Sequence, residues 1–219
     1  VIVDDKRIKH EIQIVKLLEG CKDNQVVVIE VLTSPTLEKN ATGRVTSILG
    51  NYLDEGVEVD SAIHRHQIPS TFGEKVLQEA AKLPTKVMSK DKKNRVDITN
   101  LELVTIDGED SRDFDDAVYA VPSENGWKLI VAIADVSHYV KEGTELDCES
   151  LERGNSVYFP HRVVPMLPEA ISNGLCSLNP KVERLCMACE MEVDSLGSLL
   201  NYKFYPAVML SHARLTYTE

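Results

Sequence analysis

Apolar and polar positions change rhythm twice along the chain. Residues 1 to about 70 carry short runs that favour strands. "QVVVIEVL" (Gln25 to Leu32) is a β-branched run, and "GRVTSILG" (Gly43 to Gly50) is a second with glycine at each end. In "GVEVDSAIHR", Val57, Val59 and Ser61 alternate with Glu58 and Asp60, which predicts a third strand. Short strands separated by Gly, Asn and Pro predict a small β-barrel or part of one. A helix is expected over Gly73 to Leu83, where Val76, Leu77, Ala80, Ala81 and Leu83 make an apolar face and Pro84 stops the run. "PTKVMSKDKKNRVDITN" follows without a period. It reads as an exposed linker whose Lys and Arg form a solvated face, with electrostatic RNA contact as the alternative.

From Leu101 the pattern tightens. "LELVTI" predicts a strand with Leu101, Leu103 and Thr105 on one face. "DAVYAV" and "WKLIVAIADV" flank "PSENG", which predicts a β-hairpin. "IVAIA" is nearly continuous apolar and predicts a strand buried on both faces. "LPEAISNGLCSL" predicts a short helix closed by Asn173-Gly174. "LCMACEMEVD" and "LNYKFYPAVML" predict a second antiparallel pair turning at Asp194 to Gly197. No internal repeat or low-complexity segment interrupts this order. The fold class expected is α+β: a partial OB-like barrel over 1–70, a helix and linker over 71–98, and a mixed sheet over 99–219.

Composition adds modest limits. The chain has 219 residues, 43% hydrophobic and 27% charged, which suits one large domain or two small ones. No apolar run reaches the roughly 18 residues needed to cross a membrane, and the first residues show no signal-peptide pattern. The start lacks methionine and reads as if cut from something longer. Five cysteines make an odd set without a disulfide framework, so a reducing cytoplasm is expected. Cys186 and Cys189 form a C-x-x-C, but no second ligand pair lies at zinc spacing; they read as two ordinary thiols. The net charge of −11 argues against non-specific nucleic-acid binding unless the acid is gathered at a metal site.

It is gathered. "TIDGEDSRDFDDAVYA" holds six carboxylates between Asp107 and Asp116. Asp107 ends a strand, Gly108 allows a tight bend, and Asp113, Asp115 and Asp116 come as the next strand begins. On a pleated strand Asp113 and Asp115 share a face while Asp116 points elsewhere unless the backbone bends. Oxygen ligands without nearby His or Cys select Mg²⁺ or Mn²⁺ over zinc. A calcium loop fails by position: starting at Asp107, position 6 is Arg112 instead of Gly and position 12 is Val118 instead of Glu. On spacing alone, a metal centre and a solvated acidic turn stay open. Arg112 is a candidate to neutralise part of the cluster. Asp135 follows "IVAIA" and reads as a cap or backbone hydrogen-bond acceptor, with support of a metal ligand as the alternative. His138 reads as structural. Without further information Tyr158 reads as a core or strand residue, and Tyr217 has no assigned role.

The acidic stretch resembles the metal motif that opens the catalytic domain of the ribonuclease II and ribonuclease R family. The resemblance continues through "WKLIVAIADVSHYV", "RGNSVYFPHRVVPMLPEAISNGLCSLNP", "ERLCMACEMEV" and "YKFYPAVMLSHARLTYT", and the "GEDSRDFDDAVY" and "SVYFP" forms are closer to the ribonuclease R branch. Upstream, "DDKR", "VVVIEVLT", "GRVTSILG" and "IHRHQIP" resemble the second cold-shock domain of such enzymes. The resemblance implies a processive 3′→5′ exoribonuclease that hydrolyses RNA with a 3′ single-stranded end to nucleoside 5′-monophosphates, using Mg²⁺ or Mn²⁺. It carries the family's four catalytic aspartates onto Asp107, Asp113, Asp115 and Asp116. Asp107, Asp113 and Asp116 are then ligands, and Asp115 is the residue whose loss stops cleavage while sparing binding. Glu109 and Asp110 match no catalytic position and read as exposed turn residues. Tyr158 matches the aromatic residue that packs on RNA near its 3′ end. The full-length enzyme is expected to be a monomer. The family's later arginine-containing segment, first cold-shock domain and S1 domain have no counterpart here, so the chain reads as a central fragment, inactive alone. The competing reading is a non-catalytic RNA-binding module with the same fold.

Overall fold

The computed structural model describes residues 1–5, 7–8 and 11–218; Lys6, inside the "DDKR" stretch, lies outside them. The chain divides into two compact units, Val1–Ser70 and Thr71–Glu219.

Among the described residues, the first unit is a three-stranded sheet with one helix. β1 (Gln13–Lys16) runs parallel to β3 (Thr42–Asn51), and β2 (Gln25–Thr33) pairs antiparallel on β3's other side. Gly43 has a steric reason: a Cβ there would lie 2.9 Å from the Glu30 carbonyl oxygen and 3.2 Å from Ile12. Ile12, Ala41, Val45, Val57 and Ile63 form the buried interior of this unit. The expected third strand is instead helix α1 (Val57–Arg65). Its alternation covers too few residues to separate the two periods; on the helix, Val57 and Ile63 are the buried residues. Glu58 and Asp60 in its first turn, and His64 and Arg65 in its last, also suit the helix dipole.

The second unit is a seven-stranded mixed sheet carrying helices on one face. Along the chain come α2 (Glu74–Ala80), a 3₁₀ turn at Ser89–Lys92, β4 (Val96–Asp97), β5 (Val104–Asp107), β6 (Asp116–Ser123), β7 (Gly126–Ala134), α3 (Val136–Tyr139) and α4 (Glu145–Arg153). Then follow β8 (Val157–Phe159), β9 (Arg162–Val164), a π-helical turn at Ala170–Leu175, β10 (Glu183–Asp194), β11 (Leu199–Leu210) and β12 (Ala213–Thr216). The order across the sheet is β12-β5-β6-β7-β10-β11-β4, with the outermost pairs β12–β5 and β11–β4 parallel and the rest antiparallel. β8 and β9 form a separate hairpin.

The hairpin β6–β7 forms where the turn residues predict it, with Ser123 opposite Gly126. Gly126 has φ +153°, and a Cβ there would sit 2.2 Å from the Val193 carbonyl oxygen, so only glycine fits against β10. The pair β10–β11 also forms around Asp194. Leu103, Ala117, Ile130, Ala132, Leu185, Ala188, Ala207 and Met209 are buried in one core with Val76, Ala80, Leu146, Ile171, Leu175 and Leu178. Each fully buried Leu or Ile contributes roughly 1.5–3 kcal/mol.

Four expectations are corrected here. "IVAIA" alternates: Ile130, Ala132 and Ala134 are buried, whereas Ile133 is 47% exposed. β7 is central in a sheet with one covered face, and Ile133 opposes Met187, itself exposed, on the other. The turn at 170–175 runs through Asn173-Gly174 and stops at Cys176, and Gly174 has no left-handed backbone. In α2, Leu77 and Ala81 face solvent while Val76, Ala80 and Leu83 turn inward. The basic segment after Pro84 is not wholly solvated either. Val87 and Ile98 are buried, β4 closes a sheet edge, and the Arg95 side chain is 9% exposed in an ion pair with Asp135.

Candidate active site

The acidic stretch lies where β5 ends and β6 begins. β12 runs beside β5 with Thr216 opposite Asp107, and the Tyr217 amide donates to the Asp107 carbonyl at 3.3 Å. Asp116 is the first residue of β6 and pairs with Ile133 of β7. Asp113 and Asp115 precede the strand, so pleat alternation does not govern them. Their backbone is held otherwise. The Ala134 amide donates to the Asp115 carbonyl at 2.9 Å. The Leu178 amide donates to the Phe114 carbonyl at 2.8 Å, and Phe114 is buried.

Asp107 and Asp115 both feel the charges of Asp113 and Asp116. Burial, and then the charges of Asp116 and Asp113, push Asp107 above the usual carboxylate range, opposed by Arg214. Burial, and then Asp113, Asp116 and Asp107, push Asp115 up as well. Glu109 and Asp110 are exposed. Among the described residues, no three His, Cys, Asp or Glu side chains converge closely enough to enclose an ion. Four carboxylates with only Arg214 opposing them repel, and a divalent cation is the partner that would remove that cost. The donor set therefore fits a hard cation in chemistry, though the side chains are not drawn together around one.

The cation beside the cluster is Arg214, not Arg112. Among the described residues no carboxylate pairs with Arg112. Arg214 donates through Nη2 to the carbonyls of Gly108 (3.1 Å) and Glu109, and its guanidinium lies 5.1 Å from the centre of the Phe114 ring. Its Nε is buried without a hydrogen-bond partner. Gly108 has no positive φ, and a Cβ there would meet nothing within 4 Å, so the bend rests on Arg214 more than on glycine. A parallel pairing across more than a hundred residues left no local signal for this contact.

Tyr158 stands on β8, 61% exposed, and its hydroxyl donates to Asp113 Oδ2. That bond, with burial, pushes the phenol up to about 12. Ser111 Oγ donates to Asp113 Oδ1 at 3.2 Å. Tyr158 is thus neither in the core nor remote from the acids: an exposed ring is tethered at the edge of the carboxylate group. Tyr217 is also exposed.

Asp135 caps nothing with its side chain. Oδ2 accepts from Arg95 Nη2 at 2.5 Å and Oδ1 from Ser137 Oγ at 2.8 Å. Burial alone would raise its pKa, but these bonds outweigh burial and hold it below the usual range. Arg95 also donates to the carbonyls of Asp91 and Cys186. His138 lies between Arg95 and Asp91, at 3.3 Å from each, and the tautomer with its proton on Nε2 serves both. Cys186 is buried, Cys189 is half-buried, and both are free thiols.

The cold shock domain family matches residues 1–73 and the RNB domain family residues 95–219. The chain is 54% identical, over its whole length, to ribonuclease R of Vibrio cholerae serotype O1, 52% identical to that of Escherichia coli K12, and 42% identical over 99% of its length to that of Thermotoga maritima. It spans 27% of the Vibrio and Escherichia proteins and 31% of the Thermotoga protein. Among solved structures, it is similar to Mycoplasma genitalium RNase R in complex with double-stranded RNA, with a TM-score of 0.86 and 33% identity over 94% of this chain and 37% of that one. The fold also occurs in yeast Ssd1, a pseudonuclease, at a TM-score of 0.69 and 20% identity, covering 88% of this chain and 25% of that one. The mixed sheet with its acidic corner, the family match over more than half of the residues and the relatives aligned from end to end together establish that the chain belongs to the RNB domain family, with a cold shock domain ahead of the RNB portion.

Proposed function

We propose that this chain carries the metal-binding part of a 3′→5′ exoribonuclease that releases nucleoside 5′-monophosphates. The observation that supports it most is the gathering of Asp107, Asp113, Asp115 and Asp116 where β5 ends and β6 begins, with the exposed Tyr158 bonded to Asp113. Asp107, Asp113 and Asp116 would hold Mg²⁺ or Mn²⁺, with Asp115 completing the set. Ions bound there would supply a water of lowered pKa and counter-charge for the leaving 3′ oxygen, as in two-metal hydrolysis.

The protein's own groups set the geometry. The Asp115 and Phe114 carbonyls are tied to Ala134 and Leu178, which fixes the loop that presents the carboxylates. Tyr158 offers an aromatic face to a base or ribose, a contact worth roughly 1–3 kcal/mol without sequence preference. RNA bound in the Mycoplasma relative fits this reading. The yeast pseudonuclease shares the fold, so the fold by itself does not imply hydrolysis; the four carboxylates carry that part of the proposal. The segment is proposed to work in the cytoplasm as part of a monomeric enzyme and to be inactive in isolation.

The test is a ribonuclease R carrying this segment in place of its own. With the native segment it should degrade 3′-tailed RNA to 5′-monophosphates. With Asp115→Asn, turnover should fall at least about a thousandfold, the scale of losing an essential electrostatic group. RNA binding at moderate salt should persist. Retained turnover in the variant, or RNA binding lost along with it, would defeat the assignment.

A further inference from the structure

Ser177 is completely buried, yet it sits on a connection between the π-helical turn and β10. Its hydroxyl does two things at once. Oγ donates to the Arg112 carbonyl at 2.9 Å and accepts from the Phe114 amide at 3.1 Å. These are the backbone groups on either side of Asp113. One side-chain oxygen therefore clasps the peptide units that flank a single carboxylate of the acidic group. The neighbouring Leu178 amide adds the bond to the Phe114 carbonyl.

The clasp is itself anchored. Arg184, on β10 and 6% exposed, donates through Nε to the Ser177 carbonyl at 2.7 Å, and the Asn179 amide donates to the same oxygen at 2.8 Å. Arg184 Nη1 binds the Glu183 carbonyl at 3.0 Å. The chain of contacts runs from the rigid sheet through Arg184 to Ser177, and from its hydroxyl to the loop. On the other side of that loop, Phe114 enters the core beneath the Arg214 guanidinium. No other residue donates to or accepts from the Arg112 carbonyl and Phe114 amide among the described residues. Without the hydroxyl, a buried amide and a carbonyl lose their partners, and the loop must shift to find others.

We infer that Ser177 is a positioning residue for Asp113, and that it sets divalent-metal affinity by holding that carboxylate's backbone in place. The inference rests on the metal-binding reading above. It differs from a merely structural role in one respect: the effect of Ser177 on metal binding must pass through Asp113. Groups that orient a ligand typically contribute about 10–100-fold in metal affinity.

The experiment measures Mn²⁺ binding to the intact chain by electron paramagnetic resonance, with hydrogen exchange at Ile130 as a check on the core. Ser177→Ala should weaken Mn²⁺ binding by about tenfold or more while Ile130 stays protected. In an Asp113→Asn background, adding Ser177→Ala should cause no further loss. Equal affinity in wild type and Ser177→Ala overturns the inference, as does a full additional loss in the Asp113→Asn background. Should Ser177→Ala fail to fold, Ser177→Cys, whose thiol is a weak hydrogen-bond donor, should bind Mn²⁺ at least several-fold more weakly than wild type; unchanged binding there counts equally against it. If wild type takes up no Mn²⁺ at all, the metal-binding reading itself fails and the clasp falls with it, an outcome distinct from a wild type that binds and a variant that binds as well.

Discussion

Asp115 and Asp135 lie on either side of Ala134 in space, one hydrogen-bonded to its amide and the other next in sequence, yet they are opposite kinds of carboxylate. Asp135 has a near-buried arginine and a serine hydroxyl, and its pKa is held down. Asp115 has only other carboxylates for close charged company, and its pKa is pushed up. The same end of the sheet thus carries one carboxylate paired with arginine and a group of carboxylates opposed only by Arg214. A structural acid is given its counter-charge by the protein. On the function proposed above, Asp115 and its neighbours would take theirs from a bound cation.

The largest effect should come from breaking the satisfied side. Arg95→Ala leaves Asp135 without its partner and should destabilise the second unit by about 3 kcal/mol, as loss of one member of a buried pair does. Chemical unfolding followed by the signal of Trp127, which stands in that unit, measures it. The folded-state pKa of Asp135 is depressed, so its stabilisation is fully present above the ordinary carboxylate value and is lost as pH falls through the lower, folded value. The gap between variant and wild type should therefore narrow in acid. A gap independent of pH would mean that the ion pair contributes little and that the other Arg95 hydrogen bonds carry the effect.

The smaller effect should have the opposite sign. Asp115 and Asp107 have raised folded pKa values, so the folded state holds their protons more tightly than the unfolded chain. Their contribution to stability falls as pH rises from the ordinary carboxylate value through the raised one. Asp115→Asn should then raise the melting temperature at pH 7 by roughly 1 °C in the absence of divalent metal, since a few tenths of a kcal/mol moves a domain of this size that far. The gain should vanish below pH 4. A variant that melts lower than wild type at neutral pH would place Asp115 with Asp135 among the structural acids and erase the contrast.

What could be read from sequence follows from how local each contact is. The hairpin β6–β7 and the pair β10–β11 were legible because turn residues and alternation sit side by side in the chain. The acidic stretch was legible as a candidate site because like charges at that density need an explanation. Helix α1 was misread because Val57, Val59 and Ser61 alternate over only five residues, a span that both periods accommodate. Arg95 was misjudged, and Arg214 overlooked, for another reason. Their partners, Asp135 and the Gly108 carbonyl, come from pairings made across the sheet, and nothing near either arginine in the chain records them. Ser177 is the same case in miniature: a serine after a helical turn looks ordinary until its hydroxyl is found between Arg112 and Phe114.

The parallel strand β12 has a consequence in time. Its Arg214 closes on Gly108 from 106 positions away, whereas the hairpin β6–β7 needs only a two-residue turn. Loop closure over such a span is slow relative to a hairpin. The acidic corner should therefore assemble after the central hairpin. In pulse-labelling exchange, amides of β7 should gain protection before that of Tyr217, and the reverse order would contradict this. A chain still emerging from the ribosome would already have its central hairpin but not its braced acidic loop, so the proposed site would form only once β12 has been made.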